Sequence, residues 1–126
     1  MTKKAIHTTD APAAIGSYSQ AIETNGLVFI SGQIPLDPAT MNIVEGDFET
    51  RARRVFDNLK AVAQAAGGDL NQIVKLTIYL TDLDNFAAVN SVMTEYFDEP
   101  YPARAALGVS SLPKGCDVEA EAVLAL

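Results

Sequence analysis

Apolar residues recur along this chain with two different periods, and the periods divide it into strands and helices. Val74, Leu76, Ile78 and Leu80 alternate with Lys75, Thr77, Tyr79 and Thr81, which predicts a strand with one strongly apolar face. Phe48, Ala52, Val55, Phe56, Leu59, Val62, Ala63 and Ala66 instead return every three or four residues, with Arg51, Arg53, Arg54, Asp57 and Lys60 among the remainder. That spacing predicts an amphipathic helix, stopped by Gly67-Gly68 with one glycine in the left-handed conformation. A second helix, with Asp82 or Asp84 as N-cap, carries Phe86, Val89, Met93, Tyr96 and Phe97 on its inner side and ends before Pro100. Asn25-Gly26, which tolerate positive φ, join strands at Ser19–Thr24 and Leu27–Ser31 through a type I′ turn. Gly32, Pro35, Asp37 and Pro38 then mark a loop. Pro102 fixes the approach to a strand from Ala103 to Val109, Pro113-Lys114-Gly115 makes a turn, and Val118 to Leu126 reads as the last strand. With a short strand near Ala5 to Thr8 the order is βββαβαββ, an α+β arrangement of one mixed sheet with two helices on one face.

Two helices cover one face of such a sheet and leave the other bare. Leu27 to Ile30 are apolar without alternation, which predicts a strand buried on both sides, and Val123 and Ala125 lie opposite Val118, Ala120, Ala122, Leu124 and Leu126. The second face therefore needs a partner, and a homo-oligomer, either a closed ring or a dimer, is the simplest source of one.

The chain of 126 residues suits a single domain spanning 1–126, with 48% hydrophobic and 20% charged residues. No apolar run approaches the roughly 20 residues of a membrane span, and no h-region follows Lys3 and Lys4, so a cytoplasmic protein is expected. A net charge of -7 opposes attraction to nucleic-acid phosphate or anionic lipid. Cys116 is the single cysteine and His7 the single histidine, which excludes an intramolecular disulfide and a Cys/His metal cluster. These exclusions direct attention to a small-molecule site.

No GxGxxG, P-loop, HExxH or GxSxG pattern occurs. His7 has no orienting acid or nucleophile near it in sequence, and Cys116 follows a turn with no neighbouring histidine, so both read as ordinary structural residues. Arg104 differs in following Tyr101-Pro102 and in standing among Ala103, Ala105 and Ala106, which leave space beside it. Its spacing alone suits a surface ion pair, while its planar guanidinium also suits bidentate capture of a carboxylate. Glu119 and Glu121 share one strand face with Val123 and Ala125, so one of them is expected to be partly buried.

Several blocks carry a broader resemblance. They are Ala14-Ile15-Gly16-Ser17-Tyr18-Ser19-Gln20-Ala21, Ile30-Ser31-Gly32-Gln33-Ile34-Pro35, Val74 to Leu80, Pro102-Ala103-Arg104-Ala105-Ala106, and Leu112-Pro113-Lys114-Gly115 followed by Val118-Glu119-Ala120-Glu121. In that order, over nearly the whole chain, they resemble the RidA (YjgF) family of reactive intermediate deaminases. The resemblance implies a chorismate-mutase-like α+β fold, a homotrimer, and clefts between adjacent subunits. It implies that Arg104 binds the substrate carboxylate, that Glu119 faces the attacking water, that Tyr18, Ser31 and Gly32 line the cleft, and that Asn90 lies near it. Its reaction is hydrolytic deamination of 2-enamine and 2-imine carboxylates, such as 2-aminoacrylate and 2-iminobutyrate, to 2-keto acids and ammonia, without metal or cofactor. Two positions depart from the pattern: Ala106 stands where many bacterial members have a cysteine, and Ala120 where Ile or Met often follows the glutamate. A thiol mechanism at position 106 is therefore excluded. Two other functions compete: a non-catalytic carboxylate-binding or chaperone-like trimer, and RNA cleavage, which the acidic composition disfavours.

Overall fold

A computed structural model describes residues 2–126 and contains the expected order of elements. The strands are β1 (Lys4–Ile6), β2 (Ala21–Thr24), β3 (Leu27–Gln33), β4 (Ile73–Leu80), β5 (Ala103–Gly108) and β6 (Val118–Ala125), and the helices are α1 (Phe48–Ala65) and α2 (Phe86–Tyr96). They form one six-stranded sheet in the order β1-β2-β3-β6-β4-β5, in which β4 and β5 run parallel and the other pairs antiparallel. The last strand is thus placed at the centre, between β3 and β4, and β5 forms an edge.

Local chemistry sets several boundaries. Asp47 caps α1 by accepting the Thr50 N–H at 2.9 Å, satisfying a donor that the first helical turn leaves open. Gly67 follows the helix at φ +93°, and Asn25 and Gly26 both take the positive φ their turn needs. Asp82 caps a short 3-10 turn over Leu83–Asn85 and not α2 itself, whose own N-cap, Asn85, makes no side-chain capping bond.

One sheet face packs under both helices. Val28 and Ile30 of β3, Leu76, Ile78 and Leu80 of β4, and Val118, Ala120, Ala122 and Leu124 of β6 are buried against Val55, Phe56, Leu59 and Val62 of α1 and Val89, Val92 and Met93 of α2. Phe56 joins the two helices, its ring 5.5 Å from that of Tyr96 and 5.8 Å, edge on, from that of Phe97.

The structure moves several boundaries, among them β1, which ends at Ile6 and not Thr8, and β5, which ends at Gly108 and not Val109. β2 begins at Ala21 and not Ser19, because the Gln20 side chain turns inward to hold the segment ahead of it. β3 continues through Ser31 and Gly32 to Gln33, passing an irregularity in its pairing with β6. A second irregularity in β4 sets Ile73 opposite Leu124 and Lys75 opposite Val123, so Ile73 takes the core position and Val74 is exposed. β6 stops at Ala125 and leaves Leu126 exposed.

The expectation that β3 is buried on both sides does not hold within one chain: Leu27 is 38% and Phe29 46% exposed. Cross-strand register extends this bare surface, since Ile22 pairs with Phe29, Phe29 with Val123, and Leu27 with Ala125. The uncovered apolar face is therefore a property of the isolated chain, as the pattern of positions requires. Among the described residues, no helix is long and apolar enough to cross a membrane.

Candidate functional site

β5 pairs in parallel with β4 so that Arg104 lies beside Leu76, whose side chain is buried beneath the helices. Because paired residues project to the same side of a sheet, Arg104 rises on the helix side, at the edge. There its Nη1 donates to Asn90 Oδ1 and lies 3.3 Å from Met93 Sδ, while the guanidinium carbon stands 4.8 Å from the centre of the Phe86 ring. Asn90, Met93, Thr94, Tyr101, Pro102 and Arg104 line a cavity of about 410 Å³. This is a positively charged recess with an oriented fork of donors, the chemistry that carboxylates select.

Glu119 occupies the other side of the sheet, since its neighbours Val118 and Ala120 are the buried positions of β6. Its carboxyl group lies over the backbone of β3: a Cβ built on Gly32 would overlap Glu119 Oε2 and stand 3.0 Å from Cδ. Gly32 is thus the absence of a side chain that lets the carboxyl reach this place. Burial is the main cause that raises the Glu119 pKa above the ordinary glutamate value, and the nearby Glu121 charge adds to it. Glu121 in turn accepts a hydrogen bond from the Tyr79 hydroxyl at 3.0 Å. Around Glu119 is a cavity of about 610 Å³ whose walls include Ile15, Tyr18, Ser31, Gly32, Leu36 and Met41.

Tyr18 and Ser31 are fixed by backbone partners. The Tyr18 hydroxyl accepts the Ile15 N–H at 3.3 Å, closing a short loop about Gly16. Ser31 donates its hydroxyl to the Ser19 carbonyl at 2.6 Å and its N–H to the Gln20 carbonyl at 3.0 Å. Both Ser31 donors therefore hold the Tyr18 segment against β3. Cys116 is buried, its thiol directed to the Val118 carbonyl at 3.5 Å, and burial pushes its pKa up. That is the opposite of the setting a nucleophilic thiol needs. His7 is exposed.

The six residues singled out in the sequence thus fall into two groups. Tyr18, Ser31, Gly32 and Glu119 share the cavity on the open side, and Asn90 and Arg104 share the recess on the helix side. A single chain does not bring Arg104 and Glu119 into one cavity. Three residues that shape these groups escaped the sequence reading. Buried Gln20 donates its amide to the Thr8 and Pro12 carbonyls, at 3.0 and 2.9 Å, and accepts the Thr8 N–H at 2.7 Å. Fully buried Asn58 donates to the Ile34 and Leu36 carbonyls at 3.2 and 3.0 Å. The polarity of Asn58 on the apolar stripe of α1 was a signal for it. Phe86 read only as a helix core residue, and its place against Arg104 depends on how β5 docks beside α2. Among the described residues, no group of three or more His, Cys, Asp and Glu side chains is arranged to hold a metal ion.

Comparison with known proteins adds three findings to this geometry. A family model described as Endoribonuclease L-PSP matches residues 8–126. Protein DfrA of Myxococcus xanthus is 53% identical over 125 residues, covering 98% of this chain and 95% of that protein, and the mouse 2-iminobutanoate/2-iminopropanoate deaminase is 45% identical over 121 residues, covering 96% and 90%. The crystal structure of RidA from an Antarctic Psychrobacter superposes with a TM-score of 0.94 at 50% identity, covering 98% of this chain and 99% of the other.

Proposed function

The chain belongs to the Endoribonuclease L-PSP family, the RidA group, and from that premise we propose that it hydrolyses 2-enamine and 2-imine carboxylates to 2-keto acids and ammonia. The observation that carries this reading is the half-buried Glu119 carboxyl held over Gly32, with its pKa raised. A carboxyl group in that state exchanges protons readily nearer neutral pH, which an enamine needs at carbon before water adds. The mouse relative bears the name of the same activity.

In the proposed sequence the Arg104 fork fixes the substrate carboxylate. Glu119 as the acid delivers a proton to the enamine β-carbon, giving the iminium, the protonated imine, and leaving Glu119 as the carboxylate. Its carboxylate form then accepts a proton as water adds to the imine carbon, and the carbinolamine collapses to the 2-keto acid with loss of ammonia. One water is consumed for each ammonia released. Imines hydrolyse unaided, so the protein contributes chiefly orientation and a positioned acid–base group. Tyr18, Ser31 and Gly32 shape the wall, and Asn90 turns Arg104. Ala106 and buried Cys116 leave the chemistry to oxygen and nitrogen groups.

In this reading the assembled site lies at a junction of two subunits of a homotrimer, with the bare sheet face as the assembly surface; the separation of Arg104 from Glu119 and the exposed Phe29 and Leu27 support it. The test couples the protein to a serine or threonine dehydratase and follows 2-keto acid release. Wild type accelerates release and Arg104→Ala does not; equal acceleration by both removes Arg104 from the mechanism. Calorimetric binding of a 2-keto acid with release at the uncatalysed rate establishes the binding-only alternative.

A further inference from the structure

The Arg104 side chain is gripped from a single stripe of α2. Phe86, Asn90 and Met93 are spaced i, i+4 and i+7, so they stack along one helix face. Each touches the same guanidinium: the Phe86 ring lies beneath its plane carbon at 4.8 Å, Asn90 Oδ1 accepts from Nη1, and Met93 Sδ stands 3.3 Å from Nη1. Among the described residues, the hydrogen bonds of Arg104 all run from Nη1. The edge formed by Nε and Nη2 remains for a ligand, and it is the edge with the geometry for two parallel bonds to a carboxylate.

We propose that Phe86 is a positioning residue for carboxylate recognition. This rests on the reading of Arg104 as the carboxylate anchor. A strand at the edge of a sheet fixes only the Arg104 backbone, and the long side chain keeps its rotamer freedom unless something holds it. Asn90 and Met93 both meet the guanidinium at Nη1, one point of contact about which it can swing. The Phe86 ring supplies the second, since its π face attracts the cation and fixes the tilt of the plane. Helix and ring together present the Nε–Nη2 edge to the recess before substrate arrives. Phe86 does not touch the substrate, so its removal weakens carboxylate binding and leaves the proton-transfer step alone.

The test measures binding of 2-oxobutanoate by calorimetry, and the KM and kcat of keto-acid release in the dehydratase-coupled assay, for wild type, Phe86→Leu, Phe86→Met, Phe86→Tyr and Arg104→Ala. Thermal melts show which variants are folded; Phe86→Met, which also fills the gap without a π face, carries the comparison if Phe86→Leu does not fold. Loss of the ring is expected to raise Kd and KM together by about three- to tenfold with kcat nearly unchanged. Phe86→Tyr keeps the ring face and is expected to restore wild-type affinity. The proposal is overturned by wild-type affinity in the folded non-aromatic variants, or by a Phe86→Tyr protein as weak as they are. Equal binding by Arg104→Ala and wild type overturns the anchor reading itself and the Phe86 role with it. Lost binding in Arg104→Ala beside intact binding in Phe86→Leu leaves the anchor standing and removes Phe86 alone.

Discussion

Glu119 Oε2 occupies the space that a side chain on Gly32 would fill. The two residues sit on neighbouring central strands, β6 and β3, and the carboxyl group reaches over the Cα of the glycine. Gly32 φ is not in the left-handed region, so the requirement for glycine is steric and comes from the carboxyl above it.

Gly32→Ala therefore separates stability from activity. The displaced atoms are the far end of a flexible side chain, so the fold loses less than about 1 kcal/mol. The carboxyl is pushed from its place, and kcat/KM for keto-acid release is expected to fall at least about tenfold. Melting curves and the dehydratase-coupled assay check the two halves, and full activity in the folded variant refutes the placement of Glu119 in the reaction.

Glu119 also sets a sign for pH dependence. Burial, with Glu121 nearby, raises its folded pKa above the ordinary 4.5. Between those two values the native state holds more protons than the unfolded state, so this group's contribution to stability falls as pH rises through the window. Glu119→Gln keeps the shape without the titration. Urea denaturation at fixed protein concentration should show the stability of Glu119→Gln minus that of wild type growing from pH 4.5 upward and then levelling. Parallel curves contradict the raised pKa.

Phe29 lies at the centre of the uncovered face, between Ile22 and Val123. Phe29→Asp places a charge where a partner sheet is expected and leaves the core beneath the helices untouched. Sedimentation should find wild type as an oligomer and the variant as a folded monomer, and the monomer should lack activity because Arg104 and Glu119 occupy separate cavities within one chain. A fully active monomer refutes the inter-subunit site.

Asn58 holds the Ile34 and Leu36 carbonyls, and through them the segment carrying Ile34, Leu36 and Met41 along the Glu119 cavity. Asn58→Ala leaves both carbonyls without that donor and is expected to cost about 2 kcal/mol. Hydrogen exchange should accelerate most across residues 34–44, where Leu36 bridges to Ile43 and the Val44 N–H bonds the Pro35 carbonyl. Uniform acceleration over the whole chain points instead to a purely global effect.

The division between what could and could not be read in the sequence is physical. Strand and helix faces were legible because their periods are local: the alternation from Leu76 to Leu80 and the stripe from Phe48 to Ala63 report their burial directly. The Asn25-Gly26 turn was equally local. The demand for a covered second face followed from counting faces, and Phe29 and Leu27 stand exposed as that count requires. Sequence blocks carried the family and the candidate residues, while position alone left Arg104 an ordinary surface arginine.

Tertiary structure decided what depends on register and docking. The β4 irregularity exchanged Val74 for Ile73, because pairing with β6 outweighed simple alternation. The pairing of β3 with β6 brought Gly32 beneath Glu119, and the pairing of Leu76 with Arg104 sent the arginine to the opposite side of the sheet. Packing of α2 beside β5 set Phe86 and the core residue Met93 against the Arg104 guanidinium as well. These relations join residues far apart in the chain, and no local period encodes which strand meets which. By itself the sequence determined the elements, their apolar faces and the presence of an apolar face that the chain's own helices do not cover; only the folded sheet decided that Arg104 and Glu119 face apart, since side-chain direction follows from strand register.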